Sequence, residues 1–234
     1  MSTSGEDPKK LINEYVRDNK YLLVKQFLAE NPRLALAKDD DERTPLHWAC
    51  SINNTEMVQL LIDNIKNVDI DEITDESGWT PVHIASSLGN EDIIDSLMKL
   101  NPTPDIDLAT TSGTTALHLA ISKNHYDLVK KLITVYKASC RTKDKKGFTG
   151  LHRAASIGSQ PIIKLIVEHG KVNINAKDMD GWTSLHHALA EGHGDAAVLL
   201  VGLGADPSIT NGNDETPAQV AVDEKVRKYF ETHI

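Results

Sequence analysis

A six-residue motif that recurs along the chain constrains its fold more than any other feature. Five copies place Thr first, His fourth and Ala sixth, in TPLHWA, TPVHIA, TALHLA, TGLHRA and TSLHHA, and a sixth, TPAQVA, has Gln219 in place of the His. A period of this length indicates stacked units that each bury their apolar face only against their neighbours. The copies begin, at spacings of 36, 35, 34, 34 and 33 residues, at Thr44, Thr80, Thr115, Thr149, Thr183 and Thr216.

Each copy of the motif predicts a pair of helices. The Thr caps the N-terminus of the first helix, and in three copies a Pro follows it, where the helix needs no backbone donor. A Gly or Asn, such as Asn53 or Gly158, then ends that helix. Apolar residues at helical spacing, as in residues 57–62, predict the second helix. The D-x-x-G-x-T segment before the next copy predicts a β-hairpin loop, and we expect the motif His to hydrogen-bond between neighbouring units.

The segments that flank the six copies predict the two ends of the stack. Residues 8–36 contain two helical patterns without the motif, and the last copy ends in a charged helix over Asp223–Glu231. End units depart from the repeat because they cover the stack with a polar face. The prediction is an all-α solenoid of seven helix-turn-helix units in a single domain over residues 8–234. Its parts are an N-terminal cap (about 8–40), repeats (about 41–210) and a C-terminal cap (about 211–234), after a disordered N-terminus (1–7).

Composition excludes several classes of function. The net charge is −9, which argues against nucleic-acid binding, and no apolar run is long enough to span a membrane. The charge is uneven: residues 1–110 hold 21 acidic and 10 basic side chains, and residues 111–234 hold 13 and 15. Cys50 and Cys140 form no CxxC pair, so we expect buried thiols in a protein of the cytoplasm and nucleus.

The histidines predict neither catalysis nor metal binding. His187 and His193 lie near the fifth motif His, but no HxxxH pair is present. The chain also lacks GxxxxGK[ST], GxGxxG and GxSxG motifs. We therefore predict no catalytic residue, no metal site, no cofactor and no enzymatic activity. The repeat motif accounts for five of the ten histidines: His47, His83, His118, His152 and His186.

The period and the T-P-L-H-x-A motif resemble the ankyrin repeat. This resemblance implies a concave face built from loop tips and inner helices, on which a partner protein binds. The variable positions of that face begin acidic and become basic, and three tryptophans on them are candidate anchors. Lys145 and Lys146 add further positive charge, and their contact with a partner is left open. The candidate partner-binding residues are Asp40, Asp41, Arg43, Trp48, Glu76, Trp79, Lys123, Arg153 and Trp182.

Several longer segments resemble one ankyrin-repeat family, that of gankyrin, and the last of them is similar to its fungal members. They are DERTPLHWACS, DESGWTPVHIASS, ISKN, LHRAAS, TPAQVA and HALAEGHGDAAVLLV. The resemblance implies a monomeric assembly chaperone of the 26S proteasome regulatory particle. Such a chaperone binds the C-terminal helical domain of one base ATPase, the third triple-A subunit. Asp41, Arg43, Glu76 and Lys123 match binding positions of that family.

A second interpretation of the same residues is a generic ankyrin-repeat adaptor, or an inhibitor of another signalling protein. The fold alone does not separate the two, because ankyrin stacks bind many unrelated partners.

Overall fold

The computed structural model describes residues 7–65 and 67–234. The chain forms two compact units, one that ends at Thr111 and one that runs from Ser112 to Ile234. Asp7 caps the first helix through its side chain, which accepts from the Lys9 N–H. The rest of the predicted disordered segment, residues 1–6, lies outside the described residues. The single domain over residues 8–234 stays a prediction.

The first unit consists of three helix pairs. The inner helices α1, α3 and α5 pack in one row, and the outer helices α2, α4 and α6 pack beside them. Two 3₁₀ helices, Pro32–Leu36 and Ile70–Glu72, lie in the connections between pairs. The helices are α1 (Pro8–Arg17), α2 (Tyr21–Glu30), α3 (Pro45–Ser51), α4 (Thr55–Asn64), α5 (Pro81–Leu88) and α6 (Glu91–Leu97).

The second unit consists of four pairs in the same arrangement. In the last pair, a 3₁₀ helix at Pro217–Val220 takes the place of the inner helix and packs on α11. The charged helix begins at Glu224, one residue after the predicted start, because Asp223 is its cap. The helices are α7 (Ala116–Ser122), α8 (Tyr126–Thr134), α9 (Gly150–Ser156), α10 (Gln160–His169), α11 (Ser184–Ala190), α12 (Gly194–Gly202) and α13 (Glu224–His233). The predicted all-α fold of seven helix pairs is confirmed.

Local chemistry sets the ends of the inner helices as predicted. The motif Thr is the N-cap of α3, α5, α7, α9 and α11, with extended backbone angles. After α3 and α9 the chain turns through left-handed conformations at Asn53 (φ +57°) and Gly158 (φ +65°), which these residue types adopt most readily. The helices are therefore short and end at fixed positions, which keeps the repeats in register.

The loops between pairs are hairpin-like turns, and residues 7–65 and 67–234 contain no β-strand. In five of the loops a backbone hydrogen bond closes the tip, as from Asp75 N–H to Trp79 C=O (3.0 Å) and from Asp144 N–H to Phe148 C=O (2.9 Å). Neighbouring tips are joined by a further bond, for example from Met179 N–H to Lys146 C=O (3.0 Å). One backbone hydrogen bond within a tip and one to the neighbouring tip are too few to form a β-strand.

The core of each unit lies between its inner and outer helices. Leu46, Leu61 and Ile94 are among the fully buried side chains of the first unit, and Leu117 and Phe230 are among those of the second. Burial of such side chains contributes about 1.5–3 kcal/mol each. As predicted, both cysteines are buried, at Cys50 and Cys140.

Candidate partner-binding surfaces

The motif histidines link each repeat to the next one. The Nδ1 atom of His152 accepts from the Thr149 N–H (3.1 Å), and its Nε2 atom donates to the Ala176 carbonyl (3.0 Å). His47 in the first unit has the same arrangement, with its Nε2 atom 3.0 Å from the Trp79 carbonyl. Burial lowers the pKa of His118 and of His152 to about 4. These histidines are neutral structural links at neutral pH, in agreement with the sequence prediction.

An aspartate at the start of four loops organises the loop tip. One carboxylate oxygen of Asp144 accepts from the backbone N–H groups of Lys146 and Phe148, both at 2.9 Å. The same pair of bonds, to residues two and four positions ahead, occurs in the other three loops. Because a side chain fixes each tip, the tips hold their conformation without a partner. The four residues are Asp39, Asp75, Asp144 and Asp178.

The second carboxylate oxygen of three of these aspartates orients a side chain of an inner helix. In three repeats the oriented residue directly follows the motif His, nine positions after the aspartate. The bonds join Trp48 Nε1 to Asp39 (2.7 Å), Arg153 Nη2 to Asp144 (2.6 Å) and His187 Nε2 to Asp178 (2.8 Å). This role of the aspartates was not predicted; the nine-residue spacing between two polar side chains is the signal in the sequence that indicates it.

In the first unit, Arg43 and Trp48 form one cluster. The Nε and Nη2 atoms of Arg43 donate to the same oxygen of Asp75, at 3.2 and 3.1 Å, and that carboxylate is only 5% exposed. The guanidinium groups of Arg43 and Arg17 lie 5.1 and 4.9 Å from the centre of the Trp48 ring. Trp48 is half-buried between two cations, so its ring is held by cation–π contacts.

The acidic candidates of the first unit are exposed. Asp40 pairs with the Lys10 ammonium at 3.1 Å, and its side chain remains 87% exposed. Asp41 and Glu76 are exposed on adjacent loop tips. Trp79 is half-buried beside the His83 ring, 6.3 Å between ring centres. This part of the unit offers carboxylates to a partner, with Trp79 at its edge.

In the second unit, Arg153 is held from two sides. Besides its bond to Asp144, its Nη1 atom donates to the Ser122 hydroxyl at 3.1 Å. Lys123, the next residue, is exposed at the end of α7. Lys145 and Lys146 are exposed on the loop tip that follows. The two basic candidates of this unit are thus close together, because Arg153 in α9 binds Ser122, the residue before Lys123 at the end of α7.

Trp182 belongs to an aromatic cluster in the second unit. Its ring lies 5.2 Å from that of His187 and 5.8 Å from that of His186. Phe148 packs edge-to-face against His187, with the ring centres 4.8 Å apart. Trp182 is half-buried, so part of this side chain remains exposed. The role of all nine candidates in binding stays a prediction.

Neither a metal cluster nor a membrane span is found in the parts of the chain that the structure describes. Residues 7–65 and 67–234 contain no group of three or more His, Cys, Asp or Glu side chains placed to hold a metal ion. None of the helices over the same residues is long and apolar enough to cross a membrane.

Comparison with known proteins identifies the class of the chain. Its sequence matches the family described as Ankyrin repeats (3 copies) over residues 13–110, 68–144 and 117–211. The crystal structure of the ankyrin repeat domain of Bcl-3, a member of the IkappaB protein family, superposes with a TM-score of 0.77 and 25% identity. The match covers 97% of this chain and 99% of that one. The protein is an ankyrin-repeat protein.

Curated relatives narrow the class to one family. A Saccharomyces cerevisiae protein named probable 26S proteasome regulatory subunit p28 is 42% identical over 220 residues, 94% of this chain and 96% of the relative. The 26S proteasome non-ATPase regulatory subunit 10 of Dictyostelium discoideum is 38% identical over 77 residues, 33% of this chain and 32% of its own length. The chain belongs to the gankyrin family of ankyrin-repeat proteasome regulatory subunits, a family of protein-interaction scaffolds.

Proposed function

We propose that the protein is an assembly chaperone of the 26S proteasome regulatory particle, and that it is not an enzyme. In this proposal it binds the C-terminal helical domain of one base ATPase, the third triple-A subunit, as a monomer in the cytoplasm and nucleus. The observation that carries the proposal is the 42% identity to a named proteasome regulatory subunit over 94% of the chain. An alignment over 94% of the chain includes most of its loops and inner helices together.

The charges of the two units support recognition of a partner that carries both signs. The first unit exposes Asp40, Asp41 and Glu76, which attract basic side chains, and the second exposes Lys123, which attracts acidic ones. Complementary charges raise the association rate and suppress wrong partners. Fixed loop tips also reduce the conformational entropy that is lost on binding.

The mechanism that we propose is steric. A chaperone of this kind occupies the surface of a free ATPase domain, blocks its premature docking on the proteolytic core particle, and leaves when assembly is complete. Binding and release need no bond to be made or broken within this chain.

Titration calorimetry of the full chain against the isolated ATPase domain, at low and high salt, tests the proposal. We expect tight 1:1 binding that weakens as salt rises, because exposed ion pairs are screened. No binding at either salt would overturn the proposal and favour the generic adaptor, whose partner an unbiased pull-down would then identify.

A pair of double variants tests the proposed contacts. We expect Arg43→Ala with Lys123→Ala to weaken binding at least about tenfold, the loss of about 1.4 kcal/mol. The matched control, Lys25→Ala with Lys130→Ala, removes the same charge from exposed positions on the outer helices α2 and α8. Equal affinities of the two double variants would refute the proposed basic contacts.

A further inference from the structure

A cleft in the second unit contains none of the candidate partner-binding residues. It has a volume of about 410 Å³ and lies between the first halves of two successive loops, before their tips. We call it the basic cleft and define it by the cationic and amide side chains that line it, Arg141, Lys143, Asn173, Asn175 and Lys177. Of the described residues that line the cleft, none carries a carboxylate.

Two lysines of the basic cleft are fixed in a ladder. The Lys143 ammonium donates to the Lys177 carbonyl at 2.8 Å, and the Lys177 ammonium donates to the Thr210 carbonyl at 2.7 Å. An ammonium group has three N–H donors, so each lysine keeps two for a ligand. The ladder places one positive charge per repeat at a defined position, whereas a free lysine side chain would lose its mobility on binding.

The side-chain oxygens of the two asparagines accept backbone hydrogen bonds. The Asn173 side-chain oxygen accepts from the Asn175 N–H at 3.0 Å, and the Asn175 side-chain oxygen accepts from the Asp206 N–H at 2.9 Å. Because both amide oxygens are used by the backbone, their NH₂ groups are what the side chains offer to a ligand. Three cations and two amides thus make a surface of hydrogen-bond donors.

Nearby carboxylates form hydrogen bonds with groups other than the cations of the cleft. Asp144, next to Lys143, binds Arg153. Asp178, next to Lys177, binds His187. The Asp206 carboxylate accepts from the backbone and hydroxyl of Ser208. The lining of the basic cleft thus carries three cationic side chains and, among the described residues, no carboxylate, within a chain of net charge −9.

We propose that the basic cleft binds an extended acidic segment of a partner protein, with a carboxylate at every third residue. Packed helix layers lie about 8–10 Å apart, which sets the separation of ladder cations in successive repeats. An extended polyproline II segment rises about 3.1 Å per residue with three residues per turn. Every third side chain of such a segment therefore lies on the same side, about 9 Å from the previous one on that side. This distance matches one carboxylate to each repeat.

Fluorescence anisotropy tests this site in the full chain. The probe is a fluorescein-labelled peptide of four Glu-Pro-Ser triplets, and the test does not involve the ATPase domain. We expect binding that weakens with salt, and we expect Arg141→Glu with Lys177→Glu to reduce affinity at least about tenfold. The matched control, Lys145→Glu with Lys146→Glu, makes the same charge change on the adjacent loop tip, outside the cleft, and should reduce affinity clearly less than the cleft variant does.

A neutral double variant and two competitors complete the test. The variant Arg141→Gln with Lys177→Gln removes both charges but keeps a side-chain donor for the Thr210 carbonyl. A loss of affinity in this variant therefore reports the loss of charge. Circular dichroism checks that the variant is folded. Absence of binding to the wild type, or equal loss in the cleft and loop-tip variants, would overturn the proposal. Equal affinity for a peptide with four consecutive Glu would overturn the spacing. Displacement by inorganic phosphate beyond that by chloride of equal ionic strength would show a phosphate site instead.

Discussion

Replacing His152 by Gln separates the two functions of a motif histidine. The chain itself shows that Gln can take one of them: in the last copy, the Gln219 side-chain oxygen accepts from the Thr216 N–H at 2.7 Å. The substitution keeps an acceptor for the Thr149 N–H but removes the donor to the Ala176 carbonyl, which the histidine reaches at 3.0 Å. At neutral pH we expect a loss of about 1 kcal/mol, the typical net contribution of one hydrogen bond.

The pH dependence of this variant follows from the lowered pKa of His152. Burial lowers it to about 4, from an ordinary value of 6.5. The folded protein therefore favours the neutral imidazole. The contribution of neutral His152 to the free energy of unfolding is complete above pH 6.5 and is lost as the pH falls toward 4. At pH 5 the unfolded chain binds the proton while the folded chain does not, which costs the wild type about 2 kcal/mol. The Gln variant has no such loss.

Urea unfolding followed by circular dichroism, at pH 7.5 and pH 5, measures both effects. The variant should be less stable than the wild type by about 1 kcal/mol at the higher pH, and more stable by about 1 kcal/mol at the lower one. Other titrating groups are common to both proteins, so they cancel in the difference. A difference that stays the same at both pH values would show that burial does not lower the pKa of His152, and would refute the reasoning.

Three further substitutions test contacts of the second unit by urea unfolding. Arg153→Ala should cost about 2 kcal/mol, because it leaves the Asp144 carboxylate, 7% exposed, without its cation; in an Asp144→Asn background the cost should fall to less than half, and an unchanged cost would mean that the ion pair is not its source. Gly158→Ala should destabilise by more than about 1 kcal/mol, because its φ is +65° and the new Cβ would lie 2.6 Å from the His193 ring. Gly202→Ala, at the end of α12 with nothing within 4 Å, should stabilise by about 0.5 kcal/mol, and a loss there would contradict the glycine-entropy argument.

The fold could be predicted from the sequence because its determinants are local and repeated. A Thr cap, a Pro in the first turn and a left-handed Asn or Gly fix both ends of an inner helix within ten residues, and Thr44, Pro45 and Asn53 do so in α3. The last repeat departs from this pattern. It has the Thr and Pro of the motif, yet Pro217–Val220 is a 3₁₀ helix, which the motif alone does not specify.

The candidate surface could be predicted only in part, because the sequence shows which residues vary but not which of them pair with each other. Asp40, Asp41 and Lys123 are exposed, as binding of a partner through them requires, and their role stays a prediction. The bonds of Trp48 and Arg153 to loop aspartates do not follow from the motif, since each depends on a carboxylate nine residues away turning its second oxygen inward. Such pairs form only once the loop tip has folded.

Ion pairs within the chain distinguish Arg43 from Lys123, two candidate cations that the sequence alone does not distinguish. Arg43 shares its charge with Asp75, whose buried carboxylate accepts two of its five N–H donors. A partner carboxylate that approaches Arg43 therefore meets a nearly neutral pair, and its attraction is reduced. Lys123 is exposed at the end of α7, with its charge directed at solvent. We conclude that Lys123→Ala alone should cost more binding free energy than Arg43→Ala alone, and that Asp75→Asn should increase the contribution of Arg43 in a double-mutant cycle.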